Sequence, residues 1–211
     1  MDDIKQQIIK IAQKMYKDKL VAGTSGNISI YNQDSNLMFI TPSNIDYSVM
    51  RSEDIVCLTL DGEIKESISG YKPSSEWRMH AEIYRDKPEV KSVIHTHSQN
   101  ATAFAVVHKD IPIILVEMVP FCGGEIGRAK FSLPGTVELG KEAVKALENR
   151  YVCLLENHGV VAIGNSVNQA YLRAVYAEDA ATIYMKALQC GHPHELSKNV
   201  QDILINKYIS K

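Results

Sequence analysis

Two histidines close an apolar run in Val93-Ile94-His95-Thr96-His97. In an extended strand alternate side chains share a face, so His95 and His97 point the same way from a rigid edge. Neutral imidazole suits zinc and its transition-metal neighbours, and two such rings aimed together begin a metal site. Two ligands alone hold an ion weakly. A third stands at His158 in Leu154-Leu155-Glu156-Asn157-His158-Gly159, again directly after an apolar β-like run. Three histidines with an open fourth position fit a catalytic ion better than a structural one, which is closed by four protein ligands. Of the seven histidines, His192 and His194 sit in a polar turn around Pro193 and read as structural, and His108 ends a helical pattern and reads as a helix-end cation.

Glu76 lies in Lys72-Pro73-Ser74-Ser75-Glu76-Trp77, in the predicted first turn of a helix. An acid there complements the helix dipole without any chemistry. Beside three histidines it is also placed to ligate the ion or act as a base, its pKa raised toward the working pH. His80 follows one turn later on the same face, either orienting Glu76 or exposed. Three small-residue segments suggest an anion cradle: Gly26-Asn27, Ser43-Asn44 after Thr41-Pro42, and Ser74-Ser75. The last stands where a helix N-cap belongs, and free N–H groups at such an end suit a phosphate. Neither a Walker sequence nor G-x-G-x-x-G is present, which argues against a nucleotide phosphate loop.

The elements that must carry these residues follow from periodicity. Ile4, Ile8, Ile11 and Met15 recur at helical spacing, predicting a helix over 3–19. Strands are expected at 28–31 and 37–40, and a hairpin at 55–60 and 63–65 around Asp61-Gly62. A helix follows to about 85, then a strand at 91–95, a helix at 101–107 and a strand at 112–116. A helix at 137–149, strands at 152–155 and 160–163, and helices at 168–188 and 196–209 complete the chain. Strict βαβ alternation is missing, so the expected class is α/β of the α+β type, a mixed or antiparallel sheet covered by helices.

At 211 residues the chain suits a single domain over 1–211. Its 45% apolar and 23% charged content are those of a soluble globular protein. A net charge of −2 offers nothing to nucleic acid or an anionic membrane. Four scattered cysteines form no C-x-x-C pair, and two lie in apolar runs, which reads as free thiols in a reducing compartment. With no apolar leader or 18-residue apolar stretch, the expectation is a cytoplasmic protein.

The chain resembles the class II aldolase/adducin family, most closely its bacterial L-fuculose-1-phosphate aldolases. The resemblance is carried nearly end to end by Gly23-Thr24-Ser25-Gly26-Asn27-Ile28-Ser29, Ile40-Thr41-Pro42-Ser43, Lys72 through His80, Val93 through His97, and Asn157-His158-Gly159. It implies a three-layer α/β/α fold around a predominantly antiparallel sheet, and a homotetramer with active sites between subunits. It further implies zinc, or cobalt or manganese, on His95, His97 and His158, with Glu76 ligating the resting ion and then serving as acid/base. Gly26, Asn27, Ser43, Asn44, Ser74 and Ser75 match the pocket for the substrate phosphate. Asn44 replaces a usual glycine, and asparagine tolerates the positive φ such a turn needs.

Related pentulose-phosphate epimerases carry aspartate where this chain has Glu76, which favours carbon–carbon cleavage. The implied reaction splits a ketose 1-phosphate (L-fuculose 1-phosphate or a related deoxyketose 1-phosphate) into dihydroxyacetone phosphate and a small aldehyde. One family tyrosine is replaced by Val116, next to Glu117, and Tyr208 aligns loosely with a second family tyrosine that acts in catalysis. Alternatives on the same site are a sugar-phosphate dehydratase, epimerase or decarboxylase. A non-catalytic adducin-like binding module is the reading of a different class, and it predicts missing metal ligands.

Overall fold

The computed structural model describes residues 2–209. Among these, eight strands form one sheet: β1 (Asn27–Asn32), β2 (Leu37–Ile40), β3 (Val56–Leu58), β4 (Ile64–Glu66), β5 (Ser92–Thr96), β6 (Arg128–Ala129), β7 (Val152–Leu155) and β8 (Gly159–Gly164). Their order is β4-β3-β2-β1-β5-β8-β7-β6. The β6–β7 pair is parallel and the other six neighbouring pairs are antiparallel, so the predominantly antiparallel expectation holds.

Seven helices flank the sheet: α1 (Asp2–Lys17), α2 (Trp77–Asp86), α3 (Gln99–Val106), α4 (Met118–Cys122), α5 (Val137–Leu147), α6 (Val167–Cys190) and α7 (Lys198–Tyr208). The predicted amphipathic face of α1 is the one it buries, through Ile8, Ile11 and Met15. Two later helices have side-chain caps. Thr136 accepts from the Leu139 N–H at the start of α5, and Ser166 from the Gln169 N–H at the start of α6.

Alternation along each strand divides the core into two layers. Ile28, Ile94, Val160 and Ala162 face the layer of α1, α3 and α6. Val93, Val161 and Ile163 face α2 and α5, against Met79, Ile83, Leu139 and Leu147. Each fully buried Val, Leu or Ile stabilises the fold by about 1.5–3 kcal/mol. Because β7 and β8 are buried on both sides, they read in sequence as unbroken apolar runs. Cys57, Cys122 and Cys153 are buried free thiols, and Cys190 is exposed and unpaired. No helix among the described residues is long and apolar enough to cross a membrane.

One expected strand is absent. Residues 112–116 form no ladder; pairing stops at an isolated bridge between Ile111 and Ile126. Pro112 has no N–H to donate, and the Ile113 carbonyl instead accepts from Leu196 N–H. The short strand β6 and short helix α4 are additions that the sequence reading did not foresee.

Candidate metal centre and anion pocket

Three neighbouring strands bring the site to one end of the sheet. Asn27 at the start of β1 pairs with His95 on β5, and His95 pairs with Val161 on β8. His95 is fully buried. Its Nδ1–H donates to the Val160 carbonyl at 2.9 Å, which fixes the tautomer and turns Nε2 toward the site. His97 lies just past the strand, where its backbone N–H donates to Leu20 O. Its Nε2 stands 2.9 Å from His95 Nε2, as the shared face of the pair requires.

His158 arrives by a sharp turn. Asn157 has φ 54°, its N–H donates to Ala105 O, and its Oδ1 accepts from His108 Nε2 at 2.7 Å. His108, expected only as a helix-end cation, braces the turn that delivers His158. Gly159 is needed for close approach. A Cβ there would press into the Thr96 carbonyl oxygen and stand 3.0 Å from His95 Cε1 and 3.3 Å from His97 Cδ2.

One donor nitrogen from each of His95, His97 and His158 lies within 4.8 Å of the others. Glu76 joins them, with Oε2 at 3.2 Å from His95 Nε2 and Oε1 at 3.3 Å from His158 Nε2. A tetrahedral ion with ligand distances of about 2.0–2.1 Å separates its ligands by about 3.3 Å. Glu76 Oε1 is buried without a hydrogen-bond partner. These residues fit a divalent ion in number, chemistry and spacing.

Electrostatics prepare the same state. Burial pushes His95 down to about 3, against the pull of Glu76 and reinforced by His158 and His97. Burial also lowers His97. His95 and His97 are thus held in the neutral form, the one that ligates. Burial would raise the Glu76 carboxyl, but His95, His158 and the Asn27 amide outweigh it and hold Glu76 below the usual carboxylate range. The expected upward shift of Glu76 is therefore corrected: ringed by hydrogen-bond donors and imidazoles, it stays a carboxylate.

A cavity of about 210 Å³ opens beside this cluster. All six residues expected around a phosphate line it, namely Gly26, Asn27, Ser43, Asn44, Ser74 and Ser75, together with Glu76, His97 and His158. Gly26 has φ 77°, and a Cβ on it would meet Val21 Cγ1 at 2.6 Å and His95 O at 2.8 Å, so the turn hugs β5 only as glycine. Asn44 adopts φ 59°, the left-handed turn expected of it. The two serine turns are stapled together: Ser74 N–H donates to Thr41 O, and Ser43 Oγ donates to Pro73 O at 2.9 Å. Thr24, Ser25, Pro42 and Pro134 line the cavity as well. Thr24 and Ser25 lie within the glycine-bounded motif already singled out, whereas Pro134 comes from a loop with no sequence signal.

The cap of α2 differs from expectation. The helix begins at Trp77 with Glu76 at the N-cap position, and the Glu76 side chain caps nothing. Ser74 and Ser75 form the turn before it, where Ser74 Oγ accepts from Glu76 N–H at 3.3 Å. His80 is fully buried, not exposed. Its Nε2 lies 2.6 Å from Asn27 Oδ1, and Asn27 Nδ2 donates to Glu76 Oε2 at 2.9 Å. Tyr208 on α7 and Val116 before α4 are about half exposed, and neither they nor Glu117 line this cavity.

Residues 6–185 match the family model of the class II aldolase and adducin N-terminal domain. A 5-deoxy-D-ribulose 1-phosphate aldolase of Bacillus thuringiensis serovar kurstaki is 33% identical over 204 residues, covering 97% of this chain and 94% of that protein. The L-fuculose phosphate aldolase of Escherichia coli (strain K12) is 34% identical over 188 residues, or 89% of this chain and 85% of that one. A solved structure of an L-fuculose 1-phosphate aldolase superposes with a TM-score of 0.92 at 33% identity, covering 98% of this chain and 96% of that one.

Proposed function

This chain belongs to the class II aldolase and adducin family and is a lyase, and from that premise we propose that it cleaves a ketose 1-phosphate to dihydroxyacetone phosphate and a small aldehyde. The observation that carries the reading is the Glu76 carboxylate, which stands among three converging imidazoles at the inner end of an anion-sized pocket. L-Fuculose 1-phosphate and 5-deoxyribulose 1-phosphate are the first candidates, by likeness to relatives named for each. An adducin-like binding module has no use for an intact set of ligands.

His95, His97 and His158 would hold the ion, zinc first and cobalt or manganese as alternatives, with Glu76 closing the resting set. A divalent ion there supplies Lewis-acid polarisation of the substrate ketone. The pocket residues Gly26, Asn27, Ser43, Asn44, Ser74 and Ser75 grip the phosphate and so fix the distance from phosphorus to the reacting carbons. In cleavage the C4 hydroxyl gives up its proton to solvent, the C3–C4 bond breaks with its electron pair passing to C3, and C3 takes a proton that the Glu76 carboxylate has first picked up from solvent. In condensation Glu76, already a carboxylate, removes the same proton. Val116 has no proton to give to the aldehyde oxygen. We assign that task to Tyr208, which α7 presents at the surface, where a neighbouring copy in a homotetramer would receive it. The whole of 1–211 is read as one cytoplasmic domain of this fold.

The test is a coupled assay for dihydroxyacetone phosphate across a panel of ketose 1-phosphates, with and without chelator. We expect aldehyde and dihydroxyacetone phosphate in equal amounts, loss of both on chelation, and recovery with zinc. Turnover indifferent to chelation, or a dehydrated or epimerised product in their place, overturns the reading.

A further inference from the structure

Behind Glu76 a chain of buried polar groups runs from Asn27, at the edge of the phosphate pocket, to His80, Ser29 and Tyr84, which hold neither ion nor phosphate. Tyr84 and His80, one turn apart on α2, face Ser29 and Asn27, two residues apart on β1. Tyr84 Oη lies 2.6 Å from Ser29 Oγ, Ser29 Oγ lies 2.7 Å from His80 Nδ1, and His80 Nε2 lies 2.6 Å from Asn27 Oδ1. The last link is Asn27 Nδ2 to Glu76 Oε2 at 2.9 Å. Ser29 and His80 are fully buried, and Tyr84 and Asn27 nearly so.

The direction of donation is forced from the carboxylate end. Glu76 as a carboxylate only accepts, so Asn27 must present its NH2 there and its carbonyl oxygen to His80. His80 must then carry its proton on Nε2, which leaves Nδ1 to accept from the Ser29 hydroxyl. Ser29 in turn accepts from the Tyr84 phenol. Burial keeps each donor in the required form, lowering His80 to about 4 so that it stays neutral, and raising Tyr84 so that its phenol keeps its proton. All four hydrogen bonds point the same way, so each polarises the next toward the carboxylate.

We propose that His80 is a positioning residue, which acts through the Asn27 amide to hold Glu76 Oε2 in place and to keep the asparagine NH2, rather than its oxygen, against the carboxylate. An amide ends the chain, so its task is orientation and not proton delivery. Without the His80 donor, Asn27 is free to flip, and its oxygen would then face a carboxylate oxygen at hydrogen-bond distance. The catalytic consequence rests on the aldolase reading of Glu76; the orientation of Asn27 does not.

The test compares the wild type with His80→Phe, which removes the donor, and His80→Gln, whose amide nitrogen reaches where Nε2 stood. In zinc-loaded enzyme, His80→Phe is expected to keep its metal and its KM while kcat falls about 10- to 100-fold, the scale of one hydrogen bond to a charged group. His80→Gln should recover kcat to within about 3-fold. An unchanged kcat in His80→Phe, an equal loss in both variants, or a loss that tracks missing zinc overturns the proposal.

Nitrogen NMR of the chelated protein provides a readout without turnover. Asn27 side-chain protons should exchange slowly in the wild type and in His80→Gln but fast in His80→Phe; equal exchange in all three also overturns it. Slow exchange in a wild type that cleaves no ketose phosphate sinks the aldolase reading and leaves the positioning role intact. If His80→Phe does not fold, Ser29→Ala, which removes the donor that fixes the His80 tautomer, should lower kcat by about 3- to 10-fold with metal unchanged. Wild-type kcat in Ser29→Ala overturns the proposal.

Discussion

The chain contains two His-x-His pairs with opposite fates. His95 and His97 end a central strand, with ring centroids 4.7 Å apart and ring nitrogens converging. His192 and His194 follow the C-terminus of α6 with Pro193 between them, their centroids 6.4 Å apart and their rings nearly perpendicular. Spacing is identical, so spacing is not what makes a ligand pair. The first pair has a strand that fixes the side-chain directions, a backbone acceptor at Val160 that sets the tautomer, and a third ring delivered by the Asn157 turn. The second has an exposed loop and no third partner among the described residues.

The sharpest way to break this contrast is His95→Ala. Bound zinc should disappear and aldol cleavage fall by at least about 10²–10³-fold, the scale of losing one electrophilic stabiliser. Metal analysis and the dihydroxyacetone phosphate assay check it, and full metal content with normal turnover would sink the triad. Gly159→Ala attacks the same pair without touching a ligand. Its methyl group must displace the Thr96 carbonyl or the imidazoles, so kcat/KM should drop about 10- to 100-fold in a protein that still folds. Wild-type kinetics there would mean that the rings have room the structure denies them. Smallest of all, the double change His192→Ala with His194→Ala should leave metal content and kcat within about 2-fold, because surface substitutions away from packed features do little.

Much of this was legible because the chemistry sits where local rules are strong. An apolar run ending in His-Thr-His fixes a face, and Gly26 and Asn44 announce left-handed turns that the fold does adopt. The order of helices and strands pointed to a mixed or antiparallel sheet covered by helices, and the family resemblance supplied its predominantly antiparallel, three-layer form. The misses share a cause in long-range contact. Residues 112–116 look extended and apolar, but the Ile113 carbonyl is taken by Leu196, far along the chain, and no strand forms. The expected rise of Glu76 fails because the two imidazoles and the Asn27 amide that hold it down converge only in the fold. His80 could not be placed for the same reason, its partners Ser29 and Asn27 lying some fifty residues earlier.

β5 has hydrogen-bonded neighbours on both sides: β1, which carries Asn27, and β8, which His158 directly precedes. A strand so enclosed releases its amides only when the whole molecule opens, not through local fraying. The backbone at His95 therefore has no loosened substate of its own. Any change that weakens the sheet at its middle is felt by the catalytic centre as a smaller population of intact molecules, not as a gradual slackening of each one.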